Sequence, residues 1–390
     1  MKRSFLTLLI LSVVAVGSLD AEKYFFQYER ELQTSGKVTL NLTNQIGQVT
    51  IQSHDAPSVL VKATKKISVA KEKEANEILD NIDVKVEQSG DKITVTTNIG
   101  EVPESRKSLW RKLLGGTDEN PLLAVDYDIV VPRQCELTIE NLAGSITIDS
   151  TSGTVSVQTS SASTSMTDIT GAVIVNGSSG RMTLLQITGD VTVATSNGPV
   201  SVVNVTGNVN VTGAGKISVQ QVKGGTTVKS TGSDISLASI EGPVEIGNAI
   251  GQTDGQLLFG PVTVKQESGK VNLQFVEGDI RIKSSAAGIS ITQEKGSLDI
   301  ATYTGSIDIQ TALQSDKDYF VATASGDINL KIPQESSGRL QITSQAGDIK
   351  SDVPVMVDAM SKRELVGSFG SGGVKITLSS TTGDVTVAQF

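Results

Sequence analysis

Residues 171–207 read GAVIVNGSSGRMTLLQITGDVTVATSNGPVSVVNVTG, with glycine returning at 171, 180, 189, 198 and 207, every ninth position. Two and four places after these glycines the chain is apolar: Val173/Val175, Met182/Leu184, Val191/Val193, Val200/Val202 and Val209/Val211. Alternation over about five residues of β-branched and other aliphatic types is the pattern of a half-buried strand, and glycine supplies the turn before it. A second period lies on the first. The residue two before glycine is apolar at Ile169, Ile187, Val205, Val222, Ile240, Leu258 and Val276, in steps of 18, 18, 17, 18, 18 and 18. At the alternate turns the same place holds Ser178, Ser196, Gly213, Ser230, Ala249 and Glu267, mostly small or polar. One turn in two therefore points a side chain inward, and the other does not. The pattern predicts a coil of about 18 residues made of two strands and two unlike corners, each coil stacking on the next.

The same phase extends outward to Gly144 and Gly153, to Gly242, Gly251, Gly260, Gly269 and Gly278, and to Gly296 and Gly305, with Ala162 replacing one glycine. It blurs near residue 290, Gln314–Tyr319 reads as an insertion, and the pattern resumes at Gly326, Gly347 and Gly383. The predicted fold is all-β: a single-stranded parallel β-solenoid, β-helix-like, with a small α+β N-terminal insertion. Stacking predicts Val191, Val209 and Val228 at neighbouring depths in one inward column. Residues 136–390 form the predicted solenoid domain, and residues 22–135 a β-rich capping region with one helix and a flexible loop. Ala75, Ile78, Leu79 and Ile82 at i, i+3, i+4 and i+7 mark the helix. Val84-Val86 and Ile93-Val95 around Gln88–Asp91 read as a hairpin, and the Pro-, Gly- and charge-rich stretch 100–120 as the loop.

Residues 1–21 carry Lys2 and Arg3, an apolar run from Phe5 to Val16 and small residues after it, the pattern of an export signal. The run is short of the roughly 20 apolar residues a membrane span needs, and no later stretch reaches that length. The expected location is outside the cytoplasm: periplasm, cell surface or medium. The 390-residue chain has 33 Lys+Arg against 42 Asp+Glu, a formal charge of −9, which argues against nucleic acid as a partner. Aromatics are only 4%, so aliphatic residues must build the core. A single cysteine, Cys135, excludes an intrachain disulfide framework, and a single histidine, His54, removes mechanisms that need two imidazoles. His54 reads as a surface-turn residue and Cys135 as a small apolar strand residue.

The nine-residue glycine period invites comparison with calcium-binding nonapeptides, but Asp190, Asp279, Asp327, Asp348 and Asp384 follow their glycines directly, as turn residues do. No cofactor or metal is expected. A polysaccharide-acting β-helix enzyme needs at least three converging acidic or basic side chains, and coil stacking could bring Asp279 or Lys283 to such partners. One stretch outside the repeat points to a contact surface. Leu109/Leu113 and Trp110/Leu114 stand at i, i+4 with Arg106, Lys107, Arg111 and Lys112 around them. Arg106, Lys107, Leu109, Trp110, Arg111, Lys112 and Leu113 are the candidate partner or membrane contacts, against the alternative of a short helix packed on the solenoid end.

The Gly-Asp-Val/Ile-x-Val pattern, the lead-in Tyr127-Asp-Ile-Val-Val-Pro132, and the closing Gly370-Ser-Gly-Gly-Val-Lys-Ile-Thr-Leu378 with Gly383-Asp-Val-Thr-Val387 resemble a bacterial β-strand-repeat putative-adhesin family, a domain of unknown function. The resemblance runs from about Lys37 to the end of the chain and departs at the helix-bearing insertion 64–120. It implies a cell-envelope or surface protein with a β-solenoid domain and no known active site, so no functional residue is carried over. Two further readings stand beside a binding or adhesin-like scaffold for a protein or glycan of the envelope or host surface: the polysaccharide-acting enzyme, and an envelope-stress accessory protein working through a partner.

Overall fold

The structure is a computed structural model that describes residues 22–69, 71–99 and 123–390. It is a nearly all-β solenoid with turns about 18 residues apart and a small α+β region near the N-terminus. The described residues form two compact units divided between Pro199 and Val200.

In the first unit the order is β1 (Glu22–Gln33), β2 (Val38–His54), β3 (Ser58–Val69), α1 (Glu72–Leu79), β4 (Ile82–Ser89), β5 (Lys92–Ile99), β6 (Leu123–Pro132) and β7 (Cys135–Asp149). β2 is the hinge of this arrangement. It runs parallel to β7, with Leu40 opposite Leu137 and Val49 opposite Ile146. Its other edge carries β5 on the first half and β6 on the second, both parallel. Beyond them the pairing turns antiparallel: β4 on β5, β3 on β6 and β1 on β3. Parallel stacking thus already includes β2, about a hundred residues ahead of β7. The antiparallel strands cover an edge that would otherwise present unpaired backbone groups. Short strands then stack on β7 at the 18-residue step, Leu137–Val155–Val173–Val191 on one face and Ile146–Thr164–Met182 on the other.

The helix is shorter than its apolar spacing predicts. Ala75 and Ile78 are buried, but Ile82 is the first residue of β4. The hairpin forms as expected, with Gly90 at φ 64° in a two-residue turn between Ser89 and Lys92.

In the second unit the coils from Val244 to Lys295 are the most regular. Val244, Val262 and Ile280 stack on one face, and Thr253, Val271 and Ile289 on the other. The column expectation needs one correction. Because the step from Val205 to Val222 is 17, Val209 lies opposite Thr226, while Val228 lies opposite Val211. Thr226 is 1% exposed and its hydroxyl has no partner, a polar interruption in the aliphatic column.

Three residues are inserted between Thr311 and Asp318 relative to the regular step, so Leu298 stacks on Tyr319 and Ile307 on Ile328. After that the coils leave chain order. Strands Val374–Ser380 and Val385–Gln389 lie next to Asp318–Ser325 and Ile328–Ile332. Strands Gly338–Ser344 and Ile349–Ser351, earlier in sequence, stack outside them. Strand Glu364–Phe369 pairs antiparallel on Gly338–Ser344, and Met356–Met360 pairs antiparallel on it in turn. This end, too, is closed by antiparallel strands on one face.

Candidate functional site

Each coil turns two unlike corners, and both shape its surface. At the first, one residue adopts left-handed geometry three places before a glycine: Ser150, Asp168 and Gln186 in the first unit, and Asn204, Gln221, Ser239, Leu257 and Phe275 in the second, all with φ between 55° and 59°. The glycine that follows is equally constrained. A Cβ on Gly242, whose φ is 148°, would meet the Gly224 carbonyl oxygen at 2.5 Å. Asp residues after the glycine tie neighbouring coils together: Ser297 N–H donates to Asp279 Oδ1 at 2.8 Å, and Asp384 N–H to Asp327 Oδ1 at 2.9 Å. The Ser297 amide holds the Asp279 carboxyl below the usual carboxylate range, with Lys317 adding to the effect. Asp279 thus serves the corner.

At the second corner a polar side chain points inward. Ser230, Asn248, Gln266, Ser284, Thr302 and Thr323 stand in register on consecutive coils. Gln266 donates to the carbonyls of Gly251, Ser268 and Lys270 at 3.0, 3.2 and 3.1 Å and accepts from Thr253 at 2.7 Å. Buried carbonyls need such partners. The expectation of a corner without an inward side chain is therefore amended: the inward residue is present, and it is polar.

Over this row in the second unit lies an open groove of about 530 Å³, lined by Ser230, Gly247, Asn248, Lys265, Gln266, Glu267, Lys283 and Ser284, among others. Gly247, Lys265 and Lys283 of its lining belong to one outward register row, which Lys229 begins at the groove's edge. Gly247 removes a side chain from the middle of the wall, and a Cβ there would find only Lys229 Cγ, at 3.9 Å. Asn248 is 2% exposed, and its Oδ1 has no partner; Ser284 Oγ also has none. Lys283 is brought together with Lys265 and Glu267, whereas Asp279 is not. Carboxylate-pair glycoside chemistry asks for two flanking carboxyls, and the described lining supplies one, Glu267.

A second cleft, of about 550 Å³, lies in the first unit between β1, β3, α1 and β4, with Phe26, Tyr28, Lys65, Leu79, Ile82 and Asp83 on its walls. Burial lowers the Lys65 pKa against the pull of Asp83 and Asp80, and its amine donates to the Ile82 carbonyl at 2.5 Å. That amine fastens β3 to β4. Nearby, the Tyr127 hydroxyl shares a 2.6 Å hydrogen bond with Thr97 Oγ1, and burial pushes its pKa up to about 12.

His54 closes β2, with Nε2 donating to the Ser58 carbonyl at 2.7 Å. Cys135 is a free, buried thiol at the start of β7, pushed up to about 12 by burial, which makes it a poor nucleophile. Arg106, Lys107, Leu109, Trp110, Arg111, Lys112 and Leu113 lie outside the described residues, as does the export-signal stretch 1–21. Among the described residues, no group of three or more His, Cys, Asp or Glu is placed to hold a metal ion, and no helix is long and apolar enough to cross a membrane. Sequence reading missed Lys229, Lys265, Asn248 and Gln266. Writing the chain in rows of 18 would have aligned 229, 247, 265 and 283, and 230, 248, 266 and 284.

These features define a parallel β-solenoid with a surface groove. Residues 207–388, almost all of the second unit, match the family model Toastrack DUF4097. The model is that of a domain of unknown function, and the stretch it matches lies within the β-strand repeat. No functionally curated protein matches the chain. Among solved structures, a putative cell adhesion protein from Clostridium sporogenes is 8% identical, covering 93% of this chain and 99% of that one, with a TM-score of 0.18. A putative adhesin from Bacteroides fragilis is 9% identical, covering 93% and 96%, with a TM-score of 0.25. At these TM-scores neither likeness carries an argument about function.

Proposed function

We propose that the protein is exported and works at the cell envelope or surface as a non-catalytic, adhesin-like binding scaffold. The observation that supports this most is how the coil divides its residues. Inward positions are filled by aliphatic columns and by polar residues bonded to corner carbonyls. Asp279 and Asp384 are held by backbone amides, and Cys135 is buried. What remains free is periodic surface: outward rows in register across neighbouring coils, suited to an extended partner. The basic head and apolar run of residues 2–16 support export.

Cell fractionation with an antibody to the protein tests the reading. Recovery in the envelope or medium, with loss of envelope-bound signal when protease reaches its compartment, is expected. Recovery with cytoplasmic markers overturns it.

A further inference from the structure

We propose that the groove over Gly247 binds an acidic polysaccharide, with Lys229, Lys265 and Lys283 meeting its carboxylates and the polar floor meeting its hydroxyls. The proposal rests on the scaffold reading and names the chemistry of its partner.

Charge points to an anionic ligand. On a chain of net charge −9, three lysines share one outward row, and Lys265 and Lys283 are direct register neighbours. Like charges facing each other across strands destabilise a sheet. Elsewhere the same unit pairs several of its cations, such as Arg281 with Asp299 at 2.9 Å, Lys295 with Glu277 at 2.6 Å and Arg339 with Asp358 at 3.2 Å. The three groove-row lysines have no such partner among the described residues. An anionic ligand removes that cost.

Spacing points the same way. Stacked strands lie about 4.8 Å apart, so Lys265 and Lys283 offer charges one rise apart, and Lys229 stands two rises from Lys265. A linear polymer with charge on successive units can engage several of these at once, and multivalency favours it over a single small anion. Duplex nucleic acid carries one charge per about 1.7 Å of axis. That density does not match a row whose charges stand about 4.8 Å or more apart.

The floor adds polar groups. Asn248 Oδ1 is a buried acceptor without a donor, and Ser284 Oγ is a buried hydroxyl without a partner; both residues line the groove. Buried unpaired polar atoms are costly, and sugar hydroxyls can donate to one and bond with the other. One coil further, Tyr303 is 72% exposed, between Thr302 and Thr304, whose register partners Ser284 and Ala286 flank the groove residue Ser285. Its ring offers a flat apolar face to a sugar. Gly247 leaves the room a chain of sugars needs.

The test uses the purified full-length protein and affinity electrophoresis through gels holding polygalacturonate, neutral dextran or neither, with duplex DNA competing in solution. Retardation by polygalacturonate and not by dextran, weakening between about 50 and 200 mM salt, is expected. K265Q/K283Q should weaken binding at least about tenfold, the loss of two charge-assisted contacts, and K216Q/K223Q, outside the groove, by less than about twofold. G247L, which fills the groove from an unstrained backbone position, should also weaken it, with an unchanged thermal melt. Three results overturn the proposal: wild-type retardation no greater in polygalacturonate than in dextran, equal loss in K216Q/K223Q, or displacement by DNA at lower concentration than free polygalacturonate. A protein that ignores polygalacturonate yet fractionates with the envelope refutes this site alone.

Discussion

The two corners of each coil turn the chain by different means. At the glycine corner the backbone does the work: a left-handed residue, an inward aliphatic and a glycine packed against the carbonyl of the preceding coil. The polar corner keeps a left-handed glycine too, Gly269 against the Gly251 carbonyl, and adds a side-chain device, with Gln266 binding three carbonyls that would otherwise be buried unpaired. A backbone solution admits one residue type and repeats identically. A side-chain solution can be met by Ser, Thr, Asn or Gln, so it can vary from coil to coil and leave room for a groove.

The largest expected effect separates the corners. Gly242→Ala places a Cβ at 2.5 Å from a carbonyl oxygen at φ 148°, and neither coil can yield without moving its neighbour. A loss of about 3 kcal/mol or more is expected in chemical denaturation, against a change within about 0.5 kcal/mol for Gly247→Ala. Equal effects would erase the distinction. Next comes Gln266→Leu, which keeps the volume but abandons three carbonyls and Thr253; a loss of about 2 kcal/mol is expected. An unchanged midpoint would mean the polar row is decoration.

Phe275→Asn sharpens the glycine corner. Phe275 is 45% exposed in left-handed geometry, which costs a non-glycine residue about 1–2 kcal/mol and Asn less. A gain of about 0.5 kcal/mol in the melt is expected, and a loss would show that the exposed ring is held by contacts. The smallest effect concerns acid. Asp279 has its folded-state pKa lowered, chiefly by the Ser297 amide. Its contribution is present above the unfolded value of about 3.9 and is lost as pH falls through the folded value. Wild type should therefore lose melting temperature more steeply than Asp279→Asn below about pH 4.

The same contrast explains what could be read without coordinates. The glycine corner was legible because sterics leave one choice: glycines at 242, 260 and 278 and apolar residues at 240, 258 and 276 announce coil, period and inward column together. The hairpin at Gly90 was legible for the same local reason. Ile82 misled because helical spacing continues into the first residue of a strand. Val228 misled because one coil is 17 residues long, which moves Thr226 into the column. The out-of-order coils were not legible at all. Gly347-Asp348 and Gly383-Asp384 carry the same motif, and only long-range pairing decides that Asp384 lies between Asp327 and Asp348. The groove was hidden because its lysines are 18 and 36 residues apart and unremarkable in their own strands.

The central claim is that coils one period apart lie side by side in fixed parallel register. Paired cysteines test it most directly, since the native Cys135 is buried. Thr227 and Glu245 are register partners, so Thr227→Cys/Glu245→Cys places its two residues about 4.8 Å apart, inside the range of a disulfide. Thr227→Cys/Gly247→Cys is a diagonal pair at about 7–8 Å, outside it. Mild oxidation of the folded protein should close the first pair and leave the second reduced. If the second closes as readily, or the first stays open, the stacked register is wrong.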